Sequence, residues 1–388
     1  MKAGAQPRGT IVARCAIAFV VLAAFGVLGA AATAAAPVAG SDAVSSRGAE
    51  QPTTEPRLTT SQLRARLRTT AWLPSWDLDR SRASLREHQR NVGRLSPLWF
   101  ELRADGRMVA RRPGALDAEV LSIVRARQIA LVPTVTNDLD RVRVHAMLAT
   151  AATRTRHVDQ LVALAVRHRF AGIDIDYEDV DPADRANFTA MLQELGRRLR
   201  ARDMQLSVDV PPATSSAADA IGANAYDLAA IGAAADEVRV LAYDYSTPCS
   251  GSGPIAPIAW VRQVVAHTVE FVPRGKLVLG VPLYGYDWAR TGCAESRAWL
   301  DTDALRRQHR GTLGWSNPFQ ARQLRYTASG QRHLVWFEDA RATAAKLKLA
   351  HDERLRGVAL WRLGGEDPRT WAMLDQVLGQ SRAAAAPV

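Results

Sequence analysis

The sequence predicts an α/β protein, a (β/α)8 barrel of the TIM type with a small β-rich insertion between its seventh and eighth strands. Three observations carry this expectation. Eight apolar, strand-like runs alternate with helix-like segments. Polar and aromatic residues gather at the C-terminal ends of those runs, where barrels of this class build their sites. The 388 residues suffice for one large core.

The runs fall at 70–74, 95–102, 129–136, 170–178, 205–210, 237–245, 276–284 and 357–362. Amphipathic segments lie between them: over 183–202, Phe188, Met191, Leu192, Leu195 and Leu199 recur at helical spacing while arginines fill the other face. The gap between the seventh and eighth runs is the longest. It holds Trp315-Ser-Asn-Pro318 and then two short runs, 323–326 and 333–337, flanking Ser329-Gly330 in the manner of a hairpin. We therefore place the insertion at about 286–337 and a helix at 338–349. The barrel as a whole is expected over 66–380, with a short tail at 381–388.

The fourth run is unusual. Asp174, Asp176 and Glu178 stand two apart, so a β-strand points all three the same way while Ile173, Ile175 and Tyr177 face the opposite side. Gly172 at the strand entry lets another backbone come close. A strand buried on both faces would ordinarily carry aliphatic residues throughout. Three acids there pay desolvation and mutual repulsion unless protons and hydrogen bonds are shared, which points to a catalytic strand. The acid nearest the open strand end, Glu178, is suited to hold a proton near neutral pH. The alternative is an edge strand with a solvated acidic face, which the absence of other acidic strand-like segments disfavours.

Outside the barrel, Lys2, Arg8 and Arg14 precede an apolar run at 15–32, then Ala34-Ala-Ala36 and a polar linker over 37–65. Residues 1–36 read as an export signal or as a retained membrane anchor, and either puts the folded part outside the cytoplasm. Cys249 and Cys293 are then the only thiols of the mature domain. They follow the sixth and seventh strands on one rim, and exported proteins favour disulfides, so they are expected to pair; two free thiols are the alternative. The net charge of +11 is carried almost wholly by arginine spread along helix-like segments. That suits anionic wall polymers or a solvated surface better than nucleic acid, for which no recognition module is visible. The eight histidines are scattered without ligand spacing, so neither metal nor cofactor is expected, and the chain reads as a monomer.

The strand-four residues resemble glycoside hydrolase family 18, whose signature D-x-x-D-x-D-x-E reads here Ala171-Gly-Ile-Asp174-Ile-Asp176-Tyr-Glu178. Leu241-Ala-Tyr243-Asp244 is similar to the family's M-x-Y-D on strand six, and Trp361 to its strand-eight tryptophan. The strings Gly280-Val-Pro-Leu-Tyr-Gly-Tyr-Asp-Trp288, 335–340 and 361–367 look like the bacterial branch that includes spore-cortex and cell-wall glycosylases. Two departures stand out: Ala171 replaces the usual Asp, and strand three carries Pro133-Thr-Val-Thr-Asn137 where chitinases commonly have S-x-G-G.

The resemblance implies substrate-assisted retaining hydrolysis of β-1,4 bonds beside N-acetylated amino sugars, in peptidoglycan or a related glycan. Chitin oligomers, or a lectin-like barrel that binds without turnover, are the other readings. By resemblance Glu178 is the acid/base, Asp176 orients the acetamide, Asp174 shares a proton with Asp176, and Tyr243 holds the acetamido oxygen. Asp244 and Trp361 would bind sugar, with Tyr284, Asn137, Trp76, Trp99 and Trp72 as further cleft candidates, and Asp287 and Trp288 bordering it.

Overall fold

The computed structural model describes residues 68–111, 114–216 and 223–377, so the expected export segment, the linker and the tail at 381–388 lie outside them. Strands β1 (Arg68–Leu73) and β2 (Arg94–Leu102) are joined through helix α1 (Leu78–His88). A short β3 (Met108–Ala110) folds back on β2, and α2 (Ala118–Arg127) leads into a third barrel strand made of two pieces, β4 (Ala130–Leu131) and β5 (Thr134–Thr136). Helices α3 (Arg141–Leu148) and α4 (Ala151–His168) precede β6 (Gly172–Asp176); α5 (Arg185–Arg200) and β7 (Gln205–Val210) follow. Then come α6 (Leu228–Ala234), β8 (Glu237–Val240), α7 (Ile258–Thr268) and β9 (Leu277–Pro282).

The insertion spans β10 (Tyr284–Trp288), β11 (Glu295–Ala298), α8 (Trp299–Gln308), β12 (Thr312–Ser316), β13 (Ala321–Ala328) and β14 (Gln331–Phe337). Helix α9 (Ala340–Asp352), the eighth barrel strand β15 (Gly357–Trp361) and α10 (Arg369–Val377) complete the described chain. Among the described residues no helix is long and apolar enough to cross a membrane.

The barrel closes because β1 pairs in parallel with both β2 and β15, and the order runs β15-β9-β8-β7-β6-β5-β2 between them. Closure crowds the interior at the strand entries: a Cβ on Gly172 would lie 2.1 Å from the Gln205 carbonyl, and one on Gly357 2.1 Å from that of Arg68. Helix α4 starts at a capping box, Thr150 with Thr153, and ends where Arg169 turns left-handed at φ 54°. The stripe of α5 read from the sequence, Phe188, Met191, Leu192, Leu195 and Leu199, is buried against the barrel's outer face, each side chain contributing about 1.5–3 kcal/mol on burial.

The insertion is a second sheet, ordered β11-β10-β14-β13-β12. Its hairpin β13–β14 turns at Ser329 and Gly330, both at positive φ (49° and 74°), the geometry of a two-residue primed turn. Strands six and seven end earlier than their apolar runs suggested: β8 stops at Val240 and β9 at Pro282, so Tyr243 and Asp244 sit in the loop beyond β8, and Tyr284 opens β10.

Candidate active site

Strand parity assembles the interior. On β6 the side chains of Asp174 and Asp176 enter the barrel, while Ile173 and Ile175 pack outward in the main core. Tyr177, also outward, donates to or accepts from His157 Nε2 of α4 at 2.7 Å, and the Tyr226 hydroxyl donates to the Tyr177 carbonyl at 2.7 Å. Burial lowers the His157 pKa to about 4, so this ring stays neutral. These contacts pin the end of β6 from outside.

Asp174 is fully buried and gathers donors from four other strands. Its Oδ2 accepts from Thr134 Oγ1 of β5 at 2.7 Å, from an Arg239 guanidinium nitrogen of β8 at 2.8 Å and more distantly from Trp72 Nε1 of β1 at 3.4 Å. Its Oδ1 accepts from Ser207 of β7. Asp174 was expected to share a proton with Asp176; in the structure its carboxylate also accepts from Arg239 and these neighbours. Arg239, itself fully buried, also reaches Glu237 through Nε at 2.9 Å. Glu237 in turn holds Arg94 and Arg356. Burial alone would raise the Glu237 pKa, but Arg239 and Arg94 hold it down to about 2. Strand β8 is therefore acidic inside through Glu237, and so is β7 through Asp209; the expectation that no other strand carried acids is corrected here.

Above this charged floor lies Asp176, 7% exposed, with Oδ1 lacking any hydrogen-bond partner among the described residues. Burial first, then the neighbouring Glu178 and Asp174, push its pKa well above the carboxylate range. Glu178 sits one pleat nearer the mouth, partly open to the cleft. Its pKa is raised to about 7, by burial first and then by Asp244 and Asp179. Such a carboxyl can both give and take a proton near neutral pH. The Tyr243 phenol stays protonated, its pKa raised by burial and then by Asp176, Asp209, Glu178 and Asp244 around it.

Asp244, at φ 59° beyond β8, is exposed at the rim and accepts through Oδ1 from Tyr284 and, at 2.8 Å, from Tyr286. Trp361 lies edge-on to Trp72 at 5.6 Å and tilted against Trp76 at 6.4 Å. Trp76 is 51% exposed, with Arg111 and Arg362 over its ring, so Trp361 and Trp76 form an aromatic wall on the β15 side of the mouth. Tyr243 and Tyr284 meet edge to face at 6.3 Å beyond the neighbouring strands β8 and β9.

Four candidates belong elsewhere. Trp99 does not line the cleft: Leu98 turns into the barrel, so its neighbour faces outward and packs, fully buried, on Phe170. Asn137 does not reach the substrate side either. It is fully buried, its Nδ2 donates to the Glu178 carbonyl at 2.8 Å and its Oδ1 accepts from the Glu178 N–H at 2.9 Å. It fixes the backbone of Glu178. Asp287 is buried inside the insertion sheet, bound by Tyr326 at 2.6 Å and His333 at 2.9 Å, and Trp288 packs with Tyr286 and Trp336.

Cys249 and Cys293 form a disulfide that ties the loop after β8 to the insertion. Among the described residues no group of three or more His, Cys, Asp or Glu is arranged to hold a metal ion. Arg239, Asp209 and Tyr226 were not singled out from sequence. The signal for the first two was parity: each stands two residues from another inward polar side chain on its strand.

Comparison with known proteins is consistent with this geometry. Residues 128–366, more than half of the chain, match the glycosyl hydrolases family 18. A cortical fragment-lytic enzyme of Bacillus subtilis is 30% identical over 284 residues, covering 69% of this chain and 65% of its own length, so the chain spans slightly under two thirds of that relative. A chitinase from Chromobacterium violaceum superposes with a TM-score of 0.75 at 30% identity, over 81% of this chain and 100% of the other. The spore cortex-lytic enzyme SleL of Bacillus megaterium superposes with a TM-score of 0.72 at 25% identity, over 79% and 73%.

Proposed function

The chain belongs to the glycosyl hydrolases family 18 and is a glycoside hydrolase, and from its site we propose that it cleaves β-1,4 bonds next to N-acetylated amino sugars by substrate-assisted retention. The observation that carries this reading is the inward stack of Asp176 and Glu178, with Glu178 poised at about 7 and Tyr243 beside both.

In the proposed reaction Glu178 gives its proton to the departing glycosidic oxygen while the sugar's own acetamido oxygen attacks the anomeric carbon. No protein carboxylate becomes bonded to the sugar. Asp176 faces the positive charge that develops on the acetamide, a charge that favours its carboxylate form, and Tyr243 donates to the acetamido oxygen and keeps it near attack geometry. Glu178, now a carboxylate, takes a proton from the water that opens the cyclic intermediate, which restores the enzyme. Trp361 and Trp76 offer flat faces for sugar rings, and Asp244 a hydroxyl acceptor.

For the polymer, we take peptidoglycan or a related wall glycan as the substrate. The likeness to a cortical fragment-lytic enzyme supports this, as does the net charge of +11, which favours an anionic wall. The chitinase likeness supports chitin oligomers as the second reading. The disulfide is in keeping with export. The test is mass spectrometry of products after incubation with purified peptidoglycan and, separately, with N-acetylglucosamine oligomers. Muropeptide fragments are expected. Cleavage of the oligomers alone would establish the second reading, and no cleavage of either would sink both.

A further inference from the structure

The insertion carries a cavity that the proposed reaction does not use. It encloses about 430 Å3 between the loop after β8 and the outer end of the second sheet, lined among others by Ser252, Trp288, Arg325, Thr327, Arg332 and Leu334. Register puts the sheet residues of this group on one face: Trp288 of β10 pairs with Leu334 of β14, Leu334 with Arg325 of β13, and Arg332 with Thr327. No acidic side chain lines the cavity. The nearest acids of the sheet, Asp287 and Glu295, are paired in register on the opposite face, where Tyr326 and His333 engage the first and Arg297 the second. Arg325 and Arg332 are exposed, and neither guanidinium is joined to an acid among the described residues. Gly314 of β12 leaves room for the first of them: a Cβ there would lie 3.3 Å from a guanidinium nitrogen of Arg325.

We propose that this cavity is a second glycan-binding site, in which Arg325 and Arg332 hold a carboxylate borne by the wall polymer while Trp288 and Leu334 give the sugar an apolar floor. The inference rests on the peptidoglycan reading above and deepens it. It names the group by which the protein tells such a strand from a chitin oligomer, which has no carboxylate.

Chemistry, size and position support the assignment. The planar guanidinium fork matches a carboxylate, and two of them without acidic partners have that capacity to spare. The volume falls within the range of small-molecule sites and suffices for one substituted sugar. Tyr284 and Tyr286, whose hydroxyls donate to Asp244 at the barrel mouth, share their sheet face with Trp288. Trp288 stands four residues beyond Tyr284 on β10, roughly 13 Å at the rise of a strand. One polymer chain can therefore engage the mouth and the cavity together. The disulfide between Cys249 and Cys293 ties the loop that carries Ser252 to the insertion, so the wall of the cavity is in place before a ligand arrives.

Calorimetric titration of the full chain tests this, with Glu178→Gln as the background so that no bond is cut. The ligands are soluble peptidoglycan strands with stem peptides, the same strands freed of them, both again after carbodiimide amidation of their carboxylates, and N-acetylglucosamine oligomers. Amidation of the strands and the pair Arg325→Gln with Arg332→Gln are each expected to weaken strand binding about tenfold, and the two together no further. Binding of the neutral oligomers stays within about twofold. A loss seen with peptide-free strands assigns the carboxylate to the sugar, and one confined to peptide-bearing strands assigns it to the stem. The pair Arg167→Gln with Arg262→Gln, which removes the same charge from exposed helix positions, should leave strand binding unchanged. Equal weakening in that control, or strand binding indifferent to Arg325 and Arg332 or to amidation, would overturn the proposal. If the unmutated chain binds strands and cleaves none, the proposed function fails instead, and the titrations still decide the cavity. If it releases muropeptides and the arginine pair proves indifferent, this inference alone fails.

Discussion

Glu178→Gln is expected to lower kcat by about a hundredfold to ten-thousandfold while leaving oligosaccharide binding within a few-fold, because the amide keeps the shape and loses the transferable proton. In wild type, kcat should decline as the pH rises through about 7, the point to which burial and the charges of Asp244 and Asp179 raise Glu178. The same shift predicts a stability effect of definite sign. The folded-state value lies above the unfolded one, so the folded chain binds this proton more tightly. Wild-type stability then decreases from the ordinary carboxylate range up to about 7. Glu178→Gln removes that decrease. At about pH 8 the variant should be more stable than wild type by about 1–3 kcal/mol, the range allowing for the part of Glu178 that is open to the cleft. Denaturant titrations of both proteins at acid and alkaline pH, beside single-turnover rates, measure the two effects. Full activity in the variant would remove Glu178 from its role.

Arg239→Ala should produce the largest loss of stability. The guanidinium is fully buried and lies against Asp174 at 2.8 Å and Glu237 at 2.9 Å, so its removal strands two buried carboxylates. Breaking such a network from one side destabilises by about 3–5 kcal/mol, which in a domain of this size lowers Tm by on the order of 10 °C. The double variant Arg239→Ala with Asp174→Asn should recover part of that loss, because one of the abandoned charges is gone. Additive effects in calorimetry would mean that Arg239 and Asp174 do not depend on one another. The network has a functional consequence: it fixes Asp174 as a filled acceptor beneath Asp176 and leaves Asp176 and Glu178 as the groups free to respond to a substrate.

The alternation of apolar runs and amphipathic segments made the barrel legible, since strand and helix periods differ and each survives in the residues that face the core. The acid spacing on β6 was legible for the same reason. What escaped depended on tertiary placement. Trp99 lies within β2 and Asn137 just past the end of β5, and both carry side chains common in sugar clefts; only the outward parity of Trp99, and the reach of Asn137 to the Glu178 backbone, show that one packs the core and the other positions the acid. Helix α8 sits inside an insertion otherwise made of strands, and its weak apolar pattern buries only Thr302. The run 237–245 reads as an apolar strand, and its charged pair Glu237 and Arg239 goes unnoticed because local pattern does not reveal that these charges are cancelled from β2, β6 and a residue next to β15.

The central claim is that the substrate's acetamide, held by Asp176 and Tyr243, performs the attack that Glu178 assists. It is tested most directly by comparing hydrolysis of an N-acetylated oligosaccharide with that of the same oligosaccharide lacking the acetyl group on the sugar whose bond is broken. The account predicts turnover of the first, with the β-anomer appearing initially in the proton NMR spectrum, and none of the second. Equal turnover of the two, or initial release of the α-anomer, would contradict it.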